Sequence, residues 1–178
     1  ALRIQEGFDA ISLMPTNLYG PGDNYNLRNS HVIAALIRKF YEAKKYNHKK
    51  VTCWGTGKPL REFLHVNDLA DAVRFVLERW DPPYKLISNK GIEEFSYLNV
   101  GTGKDISIKD LVQIISKKIG YKGTIEWDNE KPDGTPKKQL DITKLTKLGW
   151  KPKISLKNGI EQTINDFITE IGGNSCRL

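Results

Sequence analysis

The chain has 178 residues, of which 39% are hydrophobic, 10% aromatic and 28% charged. That apolar content supports a buried core and excludes wholesale disorder, and a prior of about 150 residues per domain allows one domain or two small ones. Twenty-eight Lys and Arg against 21 Asp and Glu leave a formal charge of +7, which suits a phosphate-bearing ligand without choosing between a nucleotide and a nucleic acid.

Residues 8 to 14, FDAISLM, read as a short, largely apolar strand. Pro15 to Arg28 is rich in Pro, Gly and Asn and reads as a loop. A strand emptying into such a loop is a common functional position in α/β folds. A helix is expected from Asn29 to about Lys45, with Ile33, Leu36, Ile37 and Phe40 on one face. Residues 51 to 54 and 60 to 66 read as strands around the turn GTGKP. A second helix runs from Asn67 or Asp68, which supply its cap, to about Arg79, with Leu69, Ala72, Val73, Val76 and Leu77 as its stripe.

A variable loop follows, and then a strand over 95 to 100. Ser107 and Asp110 form a capping-box-like start to a third helix that buries Ile108, Leu111, Val112, Ile115 and Ile119 and stops at Gly120. Residues 123 to 127 are a strand, and DNEKPDGTPKK is a polar loop with the composition of a ligand-closing lid. A short helix over about Asp141 to Leu148 precedes a final helix from Ser155, which turns Ile160, Ile164, Phe167, Ile168 and Ile171 inward. Strands alternate with helices, so the class is α/β.

No apolar run nears the roughly 20 residues of a membrane span, and the N-terminus has no signal-peptide layout. Cys53 and Cys176 show no C-x-x-C spacing, which argues against a disulfide framework or a metal site and for a reducing cytoplasm. Gly101-Thr-Gly103 and Gly55-Thr-Gly57 both lack the third glycine of a dinucleotide cradle and read as turns. Tyr41 with Lys45, and Tyr46 with Lys50, match Tyr-x-x-x-Lys, yet both sit in a Lys-rich helix end and read as solvated surface.

His31 opens the first helix. On a wheel of about 100° per residue the core stripe lies about 140° to 240° from it, so the ring points away from the core. Lys39, Trp54, Arg61, Lys137 and Lys138 add scattered cations and an aromatic ring. Trp54 is either core or a stacking platform. Arg61, in a strand-like run, needs a partner, with Glu62 or Asp68 as candidates for a structural ion pair.

Five segments carry a resemblance: PTNLYGPGDN (15 to 24), NSHVIAALIRK (29 to 39), WGTGKPLREFLHVNDLADA (54 to 72), LNVGTGKDISIKDL (98 to 111) and KPDGTPKKQLD (131 to 141). Together they resemble the GDP-L-fucose synthase family, bifunctional 3,5-epimerase/4-reductases among the extended short-chain dehydrogenase/reductases. The resemblance implies the C-terminal part of a Rossmann-type enzyme. Residues 1–28 would end the cofactor domain, 29–171 would be mainly the smaller α/β substrate-binding domain, and 172–178 a frayed tail. It further implies that the Gly-rich cofactor loop, the catalytic Ser, the Tyr-x-x-x-Lys pair and a catalytic Cys lie outside this chain, which alone would be inactive.

By matching position, Pro15, Thr16, Asn17, Leu18 and His31 would line NADP(H), most of which the other half would bind. His31 would also be the general acid of epimerisation. Lys39, Trp54, Arg61, Asp133 and Lys138 would bind the GDP-sugar substrate. The resemblance implies a cytoplasmic homodimer at full length, with no nucleic-acid or membrane partner. Another nucleotide-sugar epimerase or dehydratase, or a non-catalytic basic binding module, is the alternative.

Overall fold

A computed structural model describes residues 5–82, 87–88, 91–92 and 97–173. Its strands are β1 (Ser12–Pro15), β2 (Asn17–Tyr19), β3 (Lys50–Trp54), β4 (Leu60–His65), β5 (Ile87–Ser88), β6 (Gly91–Ile92), β7 (Tyr97–Val100), β8 (Asp105–Ser107), β9 (Thr124–Asp128) and β10 (Lys137–Lys138). Its helices are α1 (Val32–Lys45), α2 (Val66–Arg79), α3 (Ile108–Ile119), α4 (Thr143–Lys147) and α5 (Leu156–Gly172).

The α/β class holds, and most of the sheet is parallel. β4 is the hub. It pairs in parallel with β2 (Asn17 opposite Phe63) and with β10 (Lys138 opposite Arg61), and antiparallel with β8. β1 pairs in parallel with β7, and β3 with β9. Two cores result. The larger packs Ile33, Ile37 and Phe40 of α1 against Leu111 and Ile115 of α3 and Ile160 and Phe167 of α5. The smaller gathers Leu64, Ala72, Val76, Leu98, Val100, Leu145 and Trp150.

Local signals set the helix ends. Ser107 and Ser155 cap α3 and α5 by accepting from the backbone N–H of Asp110 and Asn158. Gly120 closes α3 in the left-handed region at φ 76°, where a side chain would be strained.

Several expectations need correction. The first strand begins at Ser12, not Phe8, and the presumed loop after it contains β2, because Asn17, Leu18 and Tyr19 pair with the buried β4. β8 and β10 also fall in stretches read as loop, and β5 and β6 within the variable one. Of the strand expected over 95 to 100, Tyr97–Val100 is present and 95 and 96 lie outside the described residues. α2 starts at Val66, and its cap is His65, whose Nδ1 accepts from the Asn67 N–H. Asp68 is turned inward instead, accepting from the N–H groups of Lys153 and Ile154. That rotation leaves Val73 and Leu77 of the expected stripe exposed. Ile168 on α5 is likewise exposed, and the helix runs on to Gly172, into the segment expected to fray.

Glu62, in the middle of β4, is 0% exposed. Its Oε1 accepts from the N–H groups of Thr102 (2.6 Å) and Gly103 (2.7 Å), and its Oε2 from that of Leu140 (2.7 Å). Gly101 must be glycine because a Cβ there would collide with the carboxylate. The Gly-Thr-Gly turn therefore binds an internal anion rather than an external phosphate. A buried charge is tolerated only with such partners. Glu62→Ala, leaving three amides unsatisfied, is expected to lose about 3 kcal/mol or more, read as a lower urea midpoint at unchanged m-value.

Candidate functional site

A cleft of about 590 Å³ opens where β2 meets the N-terminus of α1. Pro15, Thr16, Asn17 and Leu18 form one wall, and His31, Val32 and Ile33 form a second. Lys138, Gln139 and Leu140 form the third, and Phe63 lies at the base. Two of the walls are anchored by hydrogen bonds. Thr16 Oγ1 (3.2 Å) and Asn17 Nδ2 (2.8 Å) both donate to the Glu62 carbonyl, which presses the first wall onto β4. The Leu140 N–H on the Glu62 carboxylate, and the Gln139 side chain on the Gly103 carbonyl, hold the third.

His31 is the N-cap residue of α1, exposed, with no capping hydrogen bond from its side chain. The expectation that it faces away from the core stripe is met. Six of the sequence-derived site residues thus converge on one cleft: Pro15, Thr16, Asn17, Leu18, His31 and Lys138.

Lys39, Trp54, Arg61 and Asp133 do not line it. They follow one another along an adjoining band of surface. Lys39 Nζ donates to the Thr52 carbonyl on β3 (2.9 Å). Trp54, two residues on, is 70% exposed, so it is not core, and the Lys131 ammonium lies 5.9 Å from its ring centroid. The Asp133 carboxylate accepts from the backbone N–H and the Oγ1 of Thr56, both at 2.6 Å. Gly55, at φ 74°, leaves room for it where a Cβ would clash. Arg61 flanks Gly134 in the same loop and is the β-ladder partner of Lys138, which returns the band to the cleft.

Arg61 makes neither of the ion pairs considered for it. Glu62 and Asp68 are committed to backbone N–H groups, and the guanidinium donates to the Leu60 carbonyl (2.7 Å). Among the described residues no ion pair neutralises Lys39, Arg61 or Lys138, whereas Lys137 pairs with Asp105 and Lys50 with Glu126. The Lys-rich end of α1 is likewise structural in part, since Lys44 donates to the Ile119 carbonyl and Lys45 lies over Tyr46. Tyr41 packs edge-on against Phe167, as a surface-rim aromatic does.

Sequence reasoning missed Asp23. One of its oxygens accepts from the Asn24 N–H while the other, Oδ2, is buried without a hydrogen-bond partner. Burial pushes its carboxyl above the usual carboxylate range, opposed by the Asn24 N–H and the nearby charge of His31. Cys53 is buried, and burial pushes its thiol up, so it is not an activated nucleophile. Cys176 lies outside the described residues. Among the described residues no cluster of His, Cys, Asp and Glu could hold a metal ion, and no helix is long and apolar enough to cross a membrane.

Residues 1–86 match the NAD dependent epimerase/dehydratase family. Over 171 residues the chain is 49% identical to the probable GDP-L-fucose synthase 1 of Oryza sativa subsp. japonica, covering 96% of this chain and 48% of that protein. The chain is therefore similar to that family over just under half of its length. The GDP-L-fucose synthase of Escherichia coli (strain K12) is 48% identical over 92% of this chain and 50% of its own. The chain spans about half the length of the curated relatives it matches.

Solved structures agree in fold. A GDP-6-OMe-4-keto-L-xylo-heptose reductase from C. jejuni superposes with TM-score 0.82 at 33% identity, covering 95% of this chain and 56% of that one. An NADP-bound GDP-L-fucose synthetase from Naegleria fowleri gives TM-score 0.79 at 26% identity, covering 94% and 47%. The fold is half of an extended short-chain dehydrogenase/reductase.

The Asp133–Thr56 tether carries a pH expectation. Hydrogen bonds from the Thr56 side chain and N–H hold the Asp133 carboxyl below its usual range. A depressed carboxyl stabilises above its ordinary value and stops doing so as pH falls through the depressed one. Asp133→Asn, or acidification through that window, is expected to lower the amide-exchange protection factor at Thr56 and to speed proteolysis of the 131–136 loop before the global fold is lost.

Proposed function

We propose that this chain forms the substrate-gripping half of an enzyme that converts GDP-4-dehydro-6-deoxy-D-mannose to GDP-L-fucose by 3,5-epimerisation and 4-reduction. The observation carrying the reading is the convergence of His31, the Pro15–Leu18 wall and Lys138 on one cleft, with unneutralised cations continuing from it. The names of the 47–49% identical relatives support the choice of reaction.

The chemistry requires these groups. A 4-keto group acidifies C3–H and C5–H. Inversion removes a proton from one face, leaves an enolate, and returns a proton to the other face. A histidine transfers protons near neutral pH, and His31 is the candidate donor. The second proton-transfer group, a cysteine by family resemblance, has no counterpart among the cleft residues here. Lys138, Arg61 and Lys39 would grip the diphosphate by charge-assisted hydrogen bonds. Trp54 offers an exposed ring on which a base can stack, and Asp133 orders the loop beneath it.

The described residues fit one wall of a dinucleotide site but not its phosphate cradle, since the Thr102 and Gly103 amides hold Glu62. NADPH, when bound, supplies the hydride that reduces the ketone. Pro15–Leu18 would present backbone and apolar surface to it, because the Thr16 and Asn17 side chains are turned to the Glu62 carbonyl. The whole reaction is proposed for the intact protein acting as a homodimer in the cytoplasm.

In the intact protein, His31→Gln is expected to lower epimerisation by about 10²–10⁴-fold, followed as solvent deuterium entering C3 and C5 of the sugar. NADPH affinity is expected to stay within about threefold, because the ring is only part of that wall. Product formation retained at the wild-type rate would sink the assignment.

A further inference from the structure

His31 borders two hollows. Besides the large cleft, it lines a smaller one of about 210 Å³ together with Asp23, Tyr19, Gly20 and Val66. The loop bearing Asp23 is pinned at both ends. The Gly22 N–H donates to Asp166 on α5 (3.1 Å), and Asn24 Nδ2 donates to Asn29 Oδ1 (2.9 Å), two residues before His31. This clip sets Asp23 on the wall of the hollow that His31 also lines, with no hydrogen bond from the imidazole to Oδ2 in this structure. Its Oδ2 is buried without a hydrogen-bond donor, which is unfavourable for a structural carboxylate and asks for a partner. The His31 side chain is meanwhile not engaged as a helix cap.

We propose that Asp23 is the positioning residue for His31: its Oδ2 accepts one imidazole N–H from the small hollow, so that the opposite ring nitrogen presents its proton to the large cleft. The inference deepens the proposed function and rests on it. It also answers an electrostatic problem, because a helix N-terminus disfavours an imidazolium. A carboxylate behind the ring offsets that field and fixes the tautomer.

The other titratable groups facing the pair do not replace this role. The Tyr19 phenol is pushed far above its usual value by burial and stays neutral. His65, beside Gly20, is pushed down by burial and is neutral too. Asp166 already accepts the Gly22 N–H, and Lys138 stands across the large cleft.

The test uses the intact protein and reads both partners by NMR. His31→Gln is expected to raise the titration midpoint of the Asp23 carboxyl by about half a unit or more. Asp23→Asn is expected to lower the midpoint of the His31 ring by a similar amount, since coupling between two sites is reciprocal. Asp23→Asn should also slow deuterium entry at C3 and C5 by about tenfold or more and displace its pH profile, with Asp23→Glu restoring part of both. Absence of reciprocal shifts overturns the pairing, and the His31→Gln arm tests it even where Asp23→Asn folds poorly. Reciprocal shifts with an unchanged rate and pH profile in Asp23→Asn overturn the catalytic role of the pair. Unimpaired deuterium entry in His31→Gln would instead remove the proton-transfer reading itself, leaving the pairing measurable.

Discussion

The cleft depends on one buried carboxylate. Glu62 draws the Thr102–Gly103 turn and the Leu140 segment onto β4, while its carbonyl holds Thr16 and Asn17 on the other side of the backbone. Two of the three walls are therefore fixed by atoms of a single residue. A charge removed from water is costly, and three backbone N–H groups at 2.6–2.7 Å compensate it. Loops built this way can stay polar on their outer face and still be rigid, which suits a surface that must grip a polar ligand.

The same economy governs the cations. Lys39 and Arg61 donate to carbonyls, which aims them without cancelling their charge. Lys50, Lys118, Lys137 and Lys153 are held by carboxylates and are neutralised where they stand. A formal charge of +7 thus divides into structural pairs and a smaller set left available for an anion. That division, more than the net charge, separates a localised anion-binding surface from a diffuse polyanion-binding one. The exposed Trp54 ring next to Lys131 adds an apolar face to the same band.

Much of the fold was legible. Helix faces recur every three to four residues, so Ile33, Ile37 and Phe40, or Leu111 and Ile115, announced their burial in the chain itself. Ser107, Ser155 and Gly120 announced the helix ends, because a cap bonds to residues only two or three positions away. The short strands were not legible. β8 and β10 are three and two residues long, and nothing local distinguishes them from turn until β4 is beside them. The outward turn of Val73 and Leu77 had the same origin, since long-range bonds to Asp68 set the rotation of α2.

By itself the sequence determined the presence of the helices, the serine caps of α3 and α5, the α/β class and the outward direction of His31. All of these follow from contacts within a few residues. Tertiary structure alone decided which polar group answers which. It gave Glu62 to the Gly-Thr-Gly turn rather than to Arg61, turned Arg61 to the Leu60 carbonyl, and set Asp23 and His31 on one hollow. Such pairings join residues tens of positions apart, and a carboxylate in a sequence carries no mark of the donor it will meet. Only the folded chain, which brings distant donors and acceptors together, makes that selection.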